Sequence, residues 1–336
     1  MIDNKPFIIA EMSGNHNKSL NRALEIVDAA AEAGVNALKI QTYTPDTITL
    51  DTSSKDFIIN NPNSHWYGMK LYELYKEAYL PWEWHKDIFD RCKKRGIICF
   101  SSPFDYTAVD FLQSLNAPIY KVASFELNDL LLIKKIAMTG KPTIISTGMA
   151  SLAEIDNALK VFNECNNTQY ALLKCTSNYP ADPKDSNLLT IPHMKRLFNC
   201  EIGLSDHTLG IGTAIASIAL GATIIEKHFT LSRKDGGVDA DFSLEPDEME
   251  LLVKECKQAY NSLGEIKYGP NGKEDIMGRR SLYISENIKE GELFTENNIK
   301  SVRPGYGLPT MYKEIFIGRK ARKDLAKGTR VTWDLI

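Results

Sequence analysis

The stretch Ile202-Gly203-Leu204-Ser205-Asp206-His207-Thr208, read with Ile225-Glu226-Lys227-His228-Phe229-Thr230, decides the fold. Each is a short apolar run of the kind that forms a strand buried on both faces, and each ends in a histidine where the run meets polar sequence. In a parallel barrel the carboxyl ends of the strands build the active site. Neighbouring strands that each deliver an imidazole therefore point to a divalent-metal site.

Working outward, runs of the same character lie at Phe7 to Met12, Ala37 to Thr42, Ile97 to Ser102, Ile119 to Ser124, Thr143 to Gly148 and Tyr170 to Ser177. Glu201 to Asp206 and Thr223 to Thr230 bring the number to eight. Apolar residues at helical spacing separate most of them, as in Ala23, Leu24, Ile26, Val27 and Ala30, or Leu251, Leu252, Val253 and Cys256. Strand-then-helix units repeated over about 260 residues predict a (β/α)8 TIM barrel of the α/β class. An open doubly wound sheet is the alternative, but no G-x-G-x-x-G follows the first run.

The chain of 336 residues and 37.7 kDa is long enough for such a barrel plus a small domain. Its 40 basic and 43 acidic residues are evenly mixed, which leaves no electrostatic footprint for nucleic acid. Six widely spaced cysteines without a C-x-x-C pair, no apolar leader at Met1-Ile2-Asp3-Asn4-Lys5 and no membrane-length apolar run predict a reduced, soluble, cytoplasmic protein.

Two connections depart from short loops. Residues 43–80, with Trp66, Tyr67, Tyr72, Tyr75 and Tyr79, either lie over the mouth of the barrel or pack their aromatics on a local helix. Residues 264–279 read as a linker, so the barrel is expected over 1–263 and a small β-rich domain over 280–336. That tail holds a degenerate repeat. Asn287 to Gly291, through Phe294-Thr295 to Ile299, matches Asp324 to Gly328, through Val331-Thr332 to Ile336, with glycine suited to a turn and threonine to a helix cap in each copy.

The strand ends gather Glu11, Lys39, Gln41, Ser101, Ser102 and Lys121 from the first half of the barrel, and Ser124, Glu126, Ser146, Lys174, Ser177, His207 and His228 from the second. Lysines inside apolar strands need a compensating anion, so Lys39 and Lys121 have either a bound phosphate or carboxylate or a buried Lys–Glu pair as partner. The turn Ser146-Thr147-Gly148-Met149, followed by the capping box Ser151 to Glu154, suits phosphate. His207 and His228, accompanied by Asp206 and Glu226, suit Mn²⁺, Co²⁺ or Mg²⁺ with coordination positions left open. His16 is expected at the mouth, whereas His65, His85 and His193 read as structural. Glu11 and Glu126 are the carboxylates placed for proton transfer, in either order.

Together these strings resemble the sialic acid synthase family: Ala10-Glu11 with Gly14-Asn15-His16-Asn17, Lys39-Ile40-Gln41, Ser102-Pro103-Phe104, Tyr120-Lys121 with Ser124 and Glu126, Ser146-Thr147-Gly148-Met149, Tyr179-Pro180, and the two histidine strings. The tail, with Arg303-Pro304-Gly305-Tyr306-Gly307, resembles the antifreeze-like (SAF, β-clip) domain that ends those enzymes. Thr42-Tyr43-Thr44-Pro45-Asp46-Thr47 and Pro81-Trp82-Glu83-Trp84-His85 are most similar to the branch that forms pseudaminic acid.

The resemblance implies condensation of phosphoenolpyruvate with an open-chain acylated amino sugar, expected to be a diacetamido trideoxy hexose. It implies that Lys39, Ser102, Lys121, Ser124, Ser146 and Ser177 hold phosphoenolpyruvate, and that His207 and His228 hold the metal. Gln41, Tyr179, Asp239 and Arg303 would meet the sugar, with Arg303 supplied by the partner in a domain-swapped homodimer. Ser177-Asn178 replaces the asparagine that N-acetylneuraminate synthases carry after Cys-Thr, which argues against N-acetylmannosamine. N-acetylneuraminate and legionaminic acid formation, a Schiff-base aldolase using Lys121 or Lys39, and a non-catalytic sugar-phosphate sensor are the competing readings.

Overall fold

The eight apolar runs form eight parallel strands: β1 (Phe7–Glu11), β2 (Ala37–Thr42), β3 (Ile98–Pro103), β4 (Tyr120–Val122), β5 (Thr143–Ser146), β6 (Tyr170–Cys175), β7 (Glu201–Asp206) and β8 (Ile224–His228). Each pairs with its sequence neighbours and β8 pairs with β1, so the sheet closes into a barrel. The computed structural model describes residues 6–61, 66–269 and 276–336. His65 and the central part of the expected linker, residues 270–275, lie outside the described residues.

Helices follow the strands for local reasons. Leu20–Glu32 starts where the Ser19 hydroxyl accepts from the Arg22 amide, and it buries Ala23, Ile26, Val27 and Ala30 against the sheet. Leu152–Glu164 begins with the Ser151–Glu154 capping box, and Pro246–Ser262 begins with proline in its first turn and buries Met249, Leu252, Val253 and Cys256. The main core lies between this helical layer and the outward faces of the strands.

A second cluster fills the inside of the barrel, and its members explain where the site sits. Along β1, Phe7 and Ile9 belong to it and Glu11 does not; along β8, Ile224 belongs and Glu226 and His228 do not. The same two-residue step takes β2 from Ala37 to Lys39 and Gln41, β5 from Ile144 to Ser146, and β6 from Leu173 to Cys175. These strands thus place apolar side chains at the amino end of the interior and polar ones at the carboxyl end. At the boundary on β7, Gly203 makes room for its neighbours, because a Cβ there would meet Leu173 Cδ2 at 2.6 Å and Ile224 Cβ at 2.7 Å.

Contacts divide the chain into two compact units, Met1–Gly264 and Glu265–Ile336. The second has an antiparallel pair, β9 (Ser281–Ile284) and β10 (Ile299–Val302), over a core of Leu282, Ile284, Phe294, Ile299, Phe316 and Val331. The two copies of the repeat pair with each other at Ile288 and Leu325, and the repeated glycines Gly291 and Gly328 have φ of +82° and +90°. Among the described residues, no helix is long and apolar enough to cross a membrane.

Gly203→Ala should lower the stability of the barrel by about 1–3 kcal/mol, because its methyl group lands in an occupied interior. Urea denaturation followed by circular dichroism measures this, and an unchanged midpoint would contradict the packing at that level.

Candidate active site

The polar upper layer opens into a cavity of about 510 Å³, a size suited to small-molecule ligands. Glu11, Lys39, Gln41, Ser102, Lys121 and Ser124 line it, as do Glu126, Ser146, Tyr179, His207, His228 and Asp239. Ser177 stands at its edge, with Oγ 3.9 Å from Cys175 Sγ and packed against Gly148 so closely that no Cβ would fit there. Arg303 is exposed in the second unit, just after β10.

Lys39 and Lys121 are both buried, yet they are satisfied differently. Lys39 Nζ meets Glu226 Oε1 at 3.0 Å and Glu11 Oε2 at 3.4 Å, which is the buried Lys–Glu arrangement with two carboxylates. Lys121 Nζ instead donates to Ser146 Oγ at 2.6 Å and to the Val122 carbonyl at 2.8 Å, and among the described residues it makes no ion pair. Burial pushes the Lys121 amine down to about 8. It is the cation on the cavity floor that an anionic ligand would complete, with Ser146 beside it and Ser124 accepting from the Gly148 amide at 3.0 Å.

The carboxylates separate by environment. Burial pushes both Glu11 and Glu126 up to about 7, whereas Lys39 and Lys121 overcome the effect of burial on Glu226 and hold it at about 2. Two carboxyl groups poised near neutrality beside one fixed carboxylate can give and take protons at physiological pH.

His207 and His228 face each other with ring centroids 5.3 Å apart, and Tyr179 packs its ring 4.3 Å from that of His207. A carbonyl oxygen only accepts, so the contact of His207 Nδ1 with the Thr176 carbonyl at 2.8 Å puts the proton on Nδ1 and leaves Nε2 with its lone pair. Burial, with His207, Lys39 and Lys227 nearby, keeps His228 neutral, and its Nδ1 is buried with no hydrogen-bond partner among the described residues. Asp239 Oδ2 lies 3.9 Å from that nitrogen. This donor set fits a divalent cation held by two imidazoles with positions left for ligand oxygens; among the described residues, no cluster of three or more His, Cys, Asp or Glu side chains is arranged to hold a metal.

Asp206, Ser101 and Lys174 depart from expectation because side chains alternate along a strand. Asp206 does not accompany the histidines: it points to the outer face and pairs with Lys227 at 2.7 Å, both fully buried. Ser101 also faces outward, bonding Thr42 Oγ1 at 2.6 Å, and Lys174 donates to the Cys175 carbonyl instead of entering the cavity. His16 is turned away from the mouth by the turn at residues 13–18 and sits buried against the edge of Trp84. His85 is structural, bonding Thr42 Oγ1 at 2.8 Å, and His193 is exposed.

The same alternation reveals what strand-end reasoning passed over. Ser205 and Cys175 line the cavity, each two residues before His207 or Ser177, and Glu226, expected beside the histidines, lines it two residues before His228. Ser13 and Tyr43 line it from the loops that follow β1 and β2. The segment over residues 43–80 contributes Ile48, Ile59, Trp66, Leu71, Leu74 and Tyr75 to the wall, so it borders the cavity while its helix Leu71–Ala78 also buries Leu74.

Glu126→Gln should flatten the pH dependence of stability. The folded carboxyl, raised from 4.5 to about 7, keeps a proton that the unfolded chain releases, so its contribution is complete below pH 4.5 and lost as pH rises through 7. Denaturant titrations at pH 5 and pH 8 should differ by about 1–3 kcal/mol less in the variant than in the wild type. Identical differences would remove Glu126 from the set of raised carboxyls.

The NeuB family profile matches residues 26–268 and the SAF domain profile matches residues 279–336. Pseudaminic acid synthase of Campylobacter jejuni is 46% identical over 97% of this chain and 95% of its own length. Pseudaminic acid synthase of Helicobacter pylori is 43% identical over 98% of this chain and 97% of its own. Among solved structures, an N-acetylneuraminic acid synthetase from Leptospira borgpetersenii in complex with citrate superposes with a TM-score of 0.72 at 33% identity, covering 80% of this chain and 88% of that one.

Proposed function

The chain belongs to the NeuB family, and we propose that it condenses phosphoenolpyruvate with 2,4-diacetamido-2,4,6-trideoxy-L-altrose and water to give pseudaminic acid and phosphate. It is a phosphoenolpyruvate-dependent nonulosonic acid synthase, a transferase that forms a carbon–carbon bond. Near full-length identity of 43–46% to pseudaminic acid synthases, against 33% to a neuraminic acid synthetase, carries the choice of product. The cavity supports it chemically. A charged floor suits the phosphoenolpyruvate anion, while the apolar wall from residues 43–80 suits a sugar that presents a methyl at its sixth carbon and acetyl methyls elsewhere.

In this reading the methylene carbon of phosphoenolpyruvate bonds to the aldehyde carbon of the open-chain sugar. The aldehyde oxygen takes a proton, water adds to the resulting cationic carbon with loss of a proton, and phosphate leaves with its bridging oxygen. Lys121, with Ser146, Ser124, Ser102 and Ser177 around it, holds the phosphate, and Lys39 contributes positive charge to the same floor. Glu11 and Glu126, both poised near 7, share the donor and acceptor roles. Gln41, Tyr179 and Asp239 meet the sugar. Synthases of this family are generally metal-dependent; a divalent cation such as Mn²⁺, Co²⁺ or Mg²⁺ held by His207 and His228 would polarise the aldehyde carbonyl.

The assay offers phosphoenolpyruvate and Mn²⁺ with 2,4-diacetamido trideoxy hexoses, N-acetylmannosamine and no sugar, with products identified by mass. Losing apolar contacts in a specificity pocket costs about 10–200-fold in kcat/KM, so N-acetylmannosamine should trail the altrose by at least that margin. Exclusive turnover of N-acetylmannosamine, or phosphate release without sugar, would overturn the assignment.

Arg303 belongs to the same reading if it is delivered by a second copy of the chain, where its planar guanidinium suits an acyl carbonyl. Mixing the inactive variants Arg303→Ala and Lys121→Ala under subunit exchange should restore activity, because one site in each heterodimer then has both residues. Confirmed heterodimers without activity would exclude a tail that acts on its neighbour.

A further inference from the structure

Ser13 holds a backbone conformation that its residue type disfavours. Its φ is +47°, in the left-handed region that glycine enters freely and other residues enter at a cost, and Gly14 stands next to it with no such φ. A non-glycine residue persists in that region where the surrounding structure over-determines it, and such positions cluster at functional sites.

What the Ser13 side chain contributes is a double hydrogen bond between two elements of the cavity. Its hydroxyl donates to Asp239 Oδ2, on the loop after β8, in a short contact. The same oxygen accepts from Gln41 Nε2, on β2, at 3.1 Å, while the other Nε2 proton goes to Glu11 Oε1 at 2.9 Å. The orientation of the Gln41 amide follows from these partners, since its carbonyl oxygen turned toward the Glu11 carboxylate would place acceptor against acceptor. Both amide protons are therefore engaged within the protein, and Gln41 Oε1 is the atom left for a ligand. Asp239 is set in the same way: Ser13 and the Gly14 amide engage its carboxylate, which is buried and lines the cavity.

We propose that Ser13 is a positioning residue for the sugar: one hydroxyl fixes Gln41 so that it presents an acceptor, and ties the Asp239 carboxylate into the cavity wall beside it. The substrate group matched by this pair is a set of donors, hydroxyl or amide N–H. This rests on the assignment of Gln41 and Asp239 to the sugar.

The test uses Ser13→Gly, which removes the hydroxyl and relieves the backbone, and Ser13→Ala, which removes the hydroxyl and keeps the strained φ. Steady-state kinetics in the full-length protein, with each substrate varied in turn, should show KM for the sugar raised about tenfold or more in both variants. KM for phosphoenolpyruvate should stay within about twofold. Ser13→Gly should keep or gain thermal stability. Unaltered sugar KM in Ser13→Gly overturns the role of the hydroxyl, and so does an equal rise in both KM values with a falling melting temperature, which is the mark of a merely structural residue. Wild-type turnover of the diacetamido sugar in the same assay separates the two readings: if the wild type turns over only N-acetylmannosamine, the product assignment fails, while the split in KM for that sugar still decides the role of Ser13.

Discussion

Lys39 lies inside a closed barrel with 5% of its surface exposed, and an amine in that position is tolerable only if its charge is met. It is met by Glu226 from β8 and by Glu11 from β1, so the pairing spans three adjacent strands across the seam where the barrel closes. One cation between two carboxylates favours ionisation of the nearer and leaves the other near neutrality, which is the division seen between Glu226 and Glu11. With Lys39 so engaged, Lys121 remains as the floor cation without an ion-pair partner among the described residues. The contrast between an ionised Glu226 and a Glu11 poised near neutrality descends from that seam.

The barrel was legible because each strand is a short apolar run and each helix carries its own start signal, as at Ser19 and at Ser151 with Glu154. The site was legible as far as one imidazole or lysine per strand end could indicate it. Reading strand ends without their faces set Asp206 beside His207, although adjacent residues on a strand point to opposite sides, and the two-residue step from His228 leads to Glu226. The bonds of Ser13 to Gln41 and Asp239 join residues 28 and 226 positions apart, and no local pattern in the sequence encodes them.

The cavity wall shows a division between scaffold and loop. Glu11, Lys39, Lys121 and Glu226 sit on strands, where neighbours lock their rotamers, while Glu126 and Asp239 come from the loops after β4 and β8 and the apolar wall comes largely from the long excursion after β2. A long connection can change its side chains without disturbing the ion pairs beneath it. The second unit follows a different economy, with two copies of one short pattern pairing at Ile288 and Leu325 so that each covers the other's apolar face.

The seam also has a meaning for synthesis on the ribosome. β1 emerges more than 200 residues before β8, and the register that joins them aligns Ile9 with Glu226 and Glu11 with His228. Until β8 arrives, the nascent chain holds Lys39 and Glu11 without their third member and exposes the edge of β1 to any other strand nearby. The last strand therefore supplies both the closure of the sheet and the counter-charge of the floor, and a chain interrupted before residue 226 has neither.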